Sequence, residues 1–325
     1  MPPSRPYVVI AGSGRSGTNR LLDAFDLHPQ TVCRSETEEM TGGDFAELPG
    51  ATRFEEPLGE GFEGRWTRAV ARARRRQSAR DRIDAMDKTY YAGRPMARPV
   101  QRLLASRTIR RKVLGRVAPR LREREWDRPM FCTDAAALDA ALLVLKIRPP
   151  AWLLRTHAGD PDQLVLHQIR EPRAYLNSWY NRWVVQGSGG EQVFRESMVL
   201  VPHLLADFGE DPARFAEYSE ERLVESQMWI WRHLNETLHL GLRDSPRYRV
   251  VNYDAFDRAP VEEMEALLGF CGLPAPAPVL EKVGAMRNTL FGAHKGGRLD
   301  PELCERVIAR VLDGSPLPDL LARTA

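Results

Sequence analysis

Cysteines are few in this 325-residue sequence, and no two of them lie close together. The four are Cys33, Cys132, Cys271 and Cys304, with no CxxC pair among them. Such spacing suits neither a zinc site nor a small disulfide scaffold. We therefore expect reduced thiols, as in a cytosolic protein.

The sequence also lacks a long hydrophobic run and a recognisable targeting segment. No stretch approaches the roughly 20 apolar residues that span a bilayer. The chain passes from Met1-Pro2-Pro3 almost directly into the apolar residues 7–11, without the longer apolar core and cleavage site of a signal peptide. These absences predict a cytoplasmic protein with no transmembrane segment.

The net charge is small, at +3, but it is unevenly distributed. Between Arg65 and Arg124, twenty lysines and arginines stand against four acidic residues, which leaves a net charge of −13 on the rest of the chain. Such a block is typical of a solvated helical face. The alternative is an electropositive wall that attracts an anionic ligand. The block contains no recognised reader motif, so we do not expect nucleic-acid binding.

The order of apolar runs indicates an α/β protein. Continuous apolar runs, typical of buried parallel strands, predict strands at residues 7–11, 31–33, 142–146, 164–169 and 248–253. Apolar residues at helical spacing predict helices after Gly17, at 150–157, from Pro172, at 220–242 and at 260–271. This alternation predicts a central parallel sheet with helices on both faces. We expect one domain over residues 1–325, in which 36–64 is a loop and 65–125 a basic helical insertion.

A glycine-rich segment, Gly12-Ser13-Gly14-Arg15-Ser16-Gly17-Thr18-Asn19, joins the first strand to the first helix. Backbone N–H groups at a helix N-terminus favour an anion, and glycines let the chain approach it closely. The G-x-G-x-x-G spacing, with Glu36 19 residues beyond Gly17, fits a dinucleotide-binding fold, although the segment is more polar than that turn requires. A P-loop NTPase fits less well, because Thr18 replaces the phosphate-binding lysine and no strand ends in an aspartate for magnesium.

A second motif, from Ile169 to Tyr180, reads Ile-Arg-Glu-Pro-Arg-Ala-Tyr-Leu-Asn-Ser-Trp-Tyr. Its Arg170 follows a predicted strand, and its Ser178 lies about two helical turns later on a similar face. Together with Arg15-Ser16-Gly17-Thr18, this motif resembles the donor-binding signatures of sulfotransferases that use 3′-phosphoadenosine 5′-phosphosulfate (PAPS). The resemblance spans residues 7 to about 297 and implies a three-layer, P-loop-like fold.

The resemblance assigns the two ends of the donor to separate residues. The residues implied around the phosphosulfate are Arg15, Ser16, Gly17, Thr18 and Asn19. Those implied around the 3′-phosphate are Arg170, Ser178 and a closing loop with Lys295 and Gly296, while Tyr253 lies near the adenosine. A fixed guanidinium favours the charge that grows on the departing phosphate oxygen. Because a sulfuryl group carries less charge than a phosphoryl group, we expect no metal ion to be required.

An acceptor hydroxyl must lose a proton to a base as it attacks sulfur. Glu36 follows Cys33-Arg34-Ser35 at the end of the second predicted strand, which resembles the R-x-E segment of carbohydrate-directed sulfotransferases that use a Glu base. We take Glu36 as the base, with Glu38 and Glu39 as neighbouring alternatives.

Three other side chains are chemically capable of a role. Lys146 ends a predicted strand, which makes it a candidate for contact with the acceptor or the sulfonate. His157 lies at a predicted helix end and His167 inside an apolar strand, so we expect both to be structural.

The sequence therefore predicts a sulfotransferase that moves a sulfuryl group from PAPS to a hydroxyl or amine by in-line displacement. The predicted acceptor is a small molecule or a carbohydrate, and the basic block at 65–125 would suit an anionic one. Two alternatives stay open. One is an NAD(P)-dependent oxidoreductase that uses the glycine-rich segment, and the other is a non-catalytic module that binds anionic ligands.

Overall fold

The computed structural model describes eight stretches of the chain, residues 6–35, 62–75, 77–78, 88–91, 125–126, 132–147, 153–286 and 299–324. Most of the basic block and most of the expected loop at 36–64 lie outside them. The predictions that fall outside the described residues are those for Glu36, Glu38, Glu39, Lys295 and Gly296.

A parallel sheet forms the centre of the fold. The described strands are β1 (Tyr7–Ala11), β2 (Thr31–Ser35), β3 (Gln77–Ser78), β4 (Glu125–Trp126), β5 (Leu142–Lys146), β6 (Gln163–Ile169) and β7 (Tyr248–Asn252). Five of them pair in parallel in the order β2-β5-β1-β6-β7, while β3 and β4 form a separate antiparallel pair. The five predicted strands are confirmed, and four of them are largely buried, whereas β7 is buried only at its last two residues.

Helices connect the strands. They are α1 (Thr18–Asp26), α2 (Phe62–Arg75), α3 (Ala135–Ala140), α4 (Leu153–Gly159), α5 (Pro172–Tyr180), α6 (Gly190–Ser197), α7 (Val201–Asp207), α8 (Glu220–Leu242), α9 (Tyr253–Arg258), α10 (Pro260–Phe270), α11 (Ala277–Gly284), α12 (Pro301–Val311) and α13 (Leu317–Thr324). Short 3₁₀ helices cover Thr89–Tyr91 and Pro212–Phe215, and a π-helical turn covers Asn181–Val185. No described helix is long and apolar enough to cross a membrane.

Helices cover both faces of the sheet, as the alternation predicted. Successive side chains of a strand point to opposite faces. On one face, Val9 packs in a cluster with residues of α2, α4 and α8. On the other, Val8 and Ile10 pack with residues of α1, α10 and α11. The sheet is therefore the middle of three layers, which confirms the predicted fold class.

Three sequence-based expectations about local structure were wrong. The loop expected over 36–64 ends early, because α2 begins at Phe62, whose apolar side chain packs with the sheet. The block at 65–125 is not helical throughout, since it includes β3, a 3₁₀ helix and β4. Tyr253 does not end a strand but begins α9, where the side chain of Asn252 caps the helix by accepting from two backbone N–H groups.

Candidate functional site

The two motifs that the sequence predicts to bind the donor meet at one edge of the sheet. Strands β1 and β6 are adjacent and parallel, with Ala11 opposite His167. Their carboxyl ends therefore lie side by side, which is the edge where open α/β sheets bind ligands. The glycine-rich turn follows β1 and Arg170 follows β6. The topology thus places both motifs in one cleft.

The glycine-rich turn is held in a conformation that few other residues would allow. Gly17, at the N-cap of α1, has a φ of +89° and no side chain of the turn caps the helix. A Cβ atom on Gly17 would overlap the ring of Tyr253. Arg15 has a φ of +77°, which is uncommon for a residue with a side chain. Strained backbone of this kind is concentrated at functional sites.

Inside the turn, Ser16 hydrogen-bonds to the backbone of Ser13. The Ser16 hydroxyl donates to the carbonyl oxygen of Ser13 at 2.6 Å, and the Ser16 backbone N–H donates to the same oxygen at 3.1 Å. Ser16 and Thr18 are buried, whereas Asn19 is exposed on the first turn of α1. In the described structure, Ser16 therefore braces the turn itself.

Arg15, Arg170 and Ser178 lie in direct contact. Arg15 Nε donates to Ser178 Oγ at 3.2 Å, and Arg170 Nη1 donates to the backbone oxygen of Arg15 at 3.1 Å. Helix α5 holds Ser178 in place. That helix begins at Pro172, and the Glu171 carboxylate caps it by accepting from two backbone N–H groups. Residues 163 positions apart are thus joined by hydrogen bonds around one cleft.

The cleft carries positive charge that the protein only partly offsets. Burial, Arg170 and Arg182 together lower the pKa of the Arg15 guanidinium. Burial also lowers the pKa of Arg170, while Tyr253 and nearby acids work in the opposite direction. Because an anion in the cleft would favour the charged form of both arginines, this electrostatic arrangement suits a negatively charged ligand.

Arg182 is a residue that the sequence reasoning missed. It lies in the π-helical turn, four residues beyond Ser178, and is exposed. Residues four apart in a helix share one face, so this spacing was the signal that could have identified it. Single π-helical turns are frequent at functional sites.

Tyr253 lies between the two motifs and contacts both. Its ring lies against Gly17, and the Arg170 guanidinium carbon is 4.7 Å from the ring centroid. The buried tyrosine therefore supports both the turn and the arginine. The structure brings it to the predicted cleft, although at the start of a helix.

Lys146 lies at the same sheet edge, one strand away on the other side of β1. It is the last residue of β5 and is buried, opposite Ile10 of β1 and Ser35 of β2. Ser35 is the residue that precedes Glu36 in the chain. Lys146 is thus placed beside the segment from which the base was predicted.

The two histidines are structural, as expected. His157 Nε2 is 2.8 Å from Ser245 Oγ, and His167 Nε2 is 2.8 Å from Asn235 Oδ1 inside the core. Burial is the main cause that lowers the pKa of each imidazole to about 4. Within the described residues, no cluster of three or more His, Cys, Asp or Glu could hold a metal ion.

The chain was compared with solved structures, to which its sequence similarity is low. The chain is 16% identical to a sulfotransferase from Alicyclobacillus acidocaldarius, over 98% of this chain and 96% of that one, with a TM-score of 0.41. It is 19% identical to the sulfotransferase domain of the Synechococcus PCC 7002 olefin synthase, over 94% and 89%, with a TM-score of 0.36. Retinol dehydratase, solved with androsterone and the inactive cofactor PAP, is 12% identical over 96% and 82%, with a TM-score of 0.32.

Among curated proteins, none matches this sequence. The family model described as "Sulfotransferase domain" matches residues 5–296, which include the glycine-rich turn, Arg170, Ser178 and Tyr253. Because this match covers most of the chain, the protein belongs to the sulfotransferase domain family.

Proposed function

We propose that this sulfotransferase uses PAPS as its donor and transfers the sulfuryl group to a hydroxyl or amine of a small molecule or carbohydrate. One observation carries the proposal: Arg15 and Arg170 follow neighbouring strands, Arg170 donates to the Arg15 carbonyl oxygen, and Arg15 donates to Ser178. PAPS carries anionic groups at two ends, and two adjacent guanidinium groups match that distribution.

The proposed donor contacts divide between the two motifs. The phosphosulfate end is assigned to the glycine-rich turn, with Arg15, Ser16, Gly17, Thr18 and Asn19. The backbone N–H groups at the start of α1 and the Arg15 guanidinium supply positive charge there. The 3′-phosphate is assigned to Arg170, Ser178, Lys295 and Gly296, and the adenosine to the neighbourhood of Tyr253.

Transfer requires charge stabilisation on one side of sulfur and proton removal on the other. As the bond between sulfur and the bridging oxygen breaks, charge grows on the departing phosphate, and Arg15 favours that charge electrostatically. The acceptor proton passes to Glu36, for which Glu38 and Glu39 are the alternatives. Lys146 is assigned to the acceptor or the sulfonate, since it lies opposite Ser35 at the same edge.

Within this proposal the chain forms one sulfotransferase domain, with residues 65–125 as an insertion. The described part of that insertion includes α2, whose Phe62, Trp66, Ala69 and Ala73 are buried. The apolar stripe of this helix packs with the core, and Arg68 and Arg75 lie on its exposed side. This arrangement supports a basic outer surface that would favour an anionic acceptor.

Donor use is tested by titration calorimetry with adenosine 3′,5′-bisphosphate (PAP), the product of the donor. We expect the wild type to bind PAP and Arg170→Ala to bind it about 10- to 100-fold more weakly, because a charge-assisted contact is lost. The control is Arg195→Ala, an exposed arginine that pairs with Glu191 on α6. Binding of NAD(P) without binding of PAP would instead support the oxidoreductase alternative.

The base is tested by sulfate transfer from PAPS to a panel of hydroxylated acceptors. We expect Glu36→Gln to lower turnover about 10²- to 10⁴-fold while leaving PAP affinity unchanged. Full activity in this variant would remove Glu36 from the mechanism without affecting the family assignment. Heparin retention by a wild type that shows no transfer would favour the non-catalytic alternative.

A further inference from the structure

The side chain of a buried glutamine beneath the glycine-rich turn has no hydrogen-bond partner among the described residues. Gln168 is the penultimate residue of β6, and its exposed fraction is 0%. Neither Oε1 nor Nε2 of its carboxamide makes a hydrogen bond in the described part of the chain. Buried polar groups are nearly always hydrogen-bonded, so an orphaned amide of this kind needs a physical explanation.

The position of Gln168 points to the donor site. A Cβ atom on Gly17 would lie 3.3 Å from Gln168 Nε2, so the amide reaches the turn at the start of α1. A Cβ on Gly12 would overlap the Gln168 backbone oxygen, so the strand supports the turn at a second point. Within the turn itself, the buried Ser13 hydroxyl also has no partner among the described residues. Unsatisfied groups thus lie both in the turn and below it.

A second buried glutamine on the same strand provides a comparison, because its side chain is hydrogen-bonded within the protein. Gln163, the first residue of β6, is also 0% exposed. Its Nε2 donates to Tyr7 Oη at 3.2 Å and to Thr156 Oγ1 at 3.1 Å. The carboxamide of Gln163 is therefore hydrogen-bonded within the described protein, whereas that of Gln168, near the other end of the strand, is not.

We propose that Gln168 is a positioning residue for the donor, whose carboxamide gains hydrogen-bond partners from the turn only when the phosphosulfate end occupies it. This inference rests on the proposed function. In the free protein the unpaired amide disfavours the folded state, and donor binding removes that penalty. The Gln168 carboxamide therefore contributes to donor affinity, although it does not stabilise the fold when no donor is bound.

The inference is tested with Gln168→Met, which keeps the length of the side chain and removes both polar atoms. Thermal unfolding without ligand should show an unchanged or higher Tm, because an unsatisfied group has been removed. Titration with PAP should show a Kd about three- to tenfold higher than that of the wild type. The matched control, Gln163→Met, should show the reverse pattern, with a lower Tm and an unchanged Kd.

The outcomes separate this inference from the proposed function. A wild type that fails to bind PAP overturns both. If the wild type binds PAP and Gln168→Met binds it equally well, only the role of Gln168 is refuted. A lower ligand-free Tm in Gln168→Met, or failure of both Gln168→Met and Gln168→Leu to fold, also refutes it, because the unbound fold would then depend on the amide.

Discussion

Replacing Gly17 with alanine tests how closely the glycine-rich turn is fitted to its surroundings. Gly17 has a φ of +89°, where a residue with a side chain is strained by about 1–3 kcal/mol. Its new Cβ would also overlap the Tyr253 ring, and overpacking of a core costs about 1–3 kcal/mol. If both effects add, Gly17→Ala lowers the free energy of unfolding by about 2–6 kcal/mol.

Equilibrium urea denaturation measures this loss, and Gly14 provides the matched control. A Cβ on Gly14 would meet nothing within 4 Å, so Gly14→Ala should change the free energy of unfolding by less than about 0.5 kcal/mol. In a Tyr253→Leu background the cost of Gly17→Ala should fall, because the overlap with the ring is relieved. Equal costs in both backgrounds would refute the overlap. A cost below about 1 kcal/mol in the wild type would refute the backbone strain as well.

Three further predictions address charge. Lys88→Met removes the buried ammonium that lies 3.1 Å from the Asp26 carboxylate. We expect the free energy of unfolding, measured by urea denaturation, to fall by about 3–5 kcal/mol, and a fall of less than about 1 kcal/mol would contradict this. Burial lowers the pKa of His157 to about 4, so between about pH 6.5 and pH 4 the unfolded chain binds more protons than the folded protein. The free energy of unfolding should therefore fall as the pH drops through this range. In His157→Gln, unfolding free energy measured against pH should show a flatter slope. Arg182→Met should weaken PAP binding at low ionic strength and have less effect in about 1 M salt, because an exposed charge is screened; equal affinity at low salt would exclude a role for Arg182.

Much of the fold could be predicted because its strands are continuous apolar runs. Helix α8 was predicted with its observed bounds, Glu220–Leu242, since its apolar spacing is regular and Ser219 caps its first turn. Helices α6, α7, α12 and α13 were not identified, because most are short and their packing depends on partners distant in sequence. The antiparallel pair of β3 and β4 joins residues almost fifty positions apart, and two-residue strands leave no periodic pattern.

The candidate site was predictable only where a local motif marks it. Arg15, Arg170 and Ser178 could be named in advance because each lies in a recognisable segment. Gln168 could not, since in the sequence it is simply a polar residue in an apolar strand. Its importance depends on which part of the chain lies above that strand, and the pairing of β1 with β6 decides this.

The residues at the carboxyl ends of the strands favour an anion at this edge of the sheet. In the sheet, the strands end at Ala11, Ser35, Lys146, Ile169 and Asn252, and β1, β2 and β6 are directly followed by Gly12, Glu36 and Arg170. Glu36 is the carboxylate among these residues, and the proposed function assigns it to the acceptor proton. The acids nearest to Arg170 are engaged elsewhere. Glu171 caps α5, and Asp254 accepts from the Glu171 backbone N–H at 3.3 Å. Lys146 and Arg170 thus place positive charge at this edge, where it favours an anionic ligand such as the proposed donor.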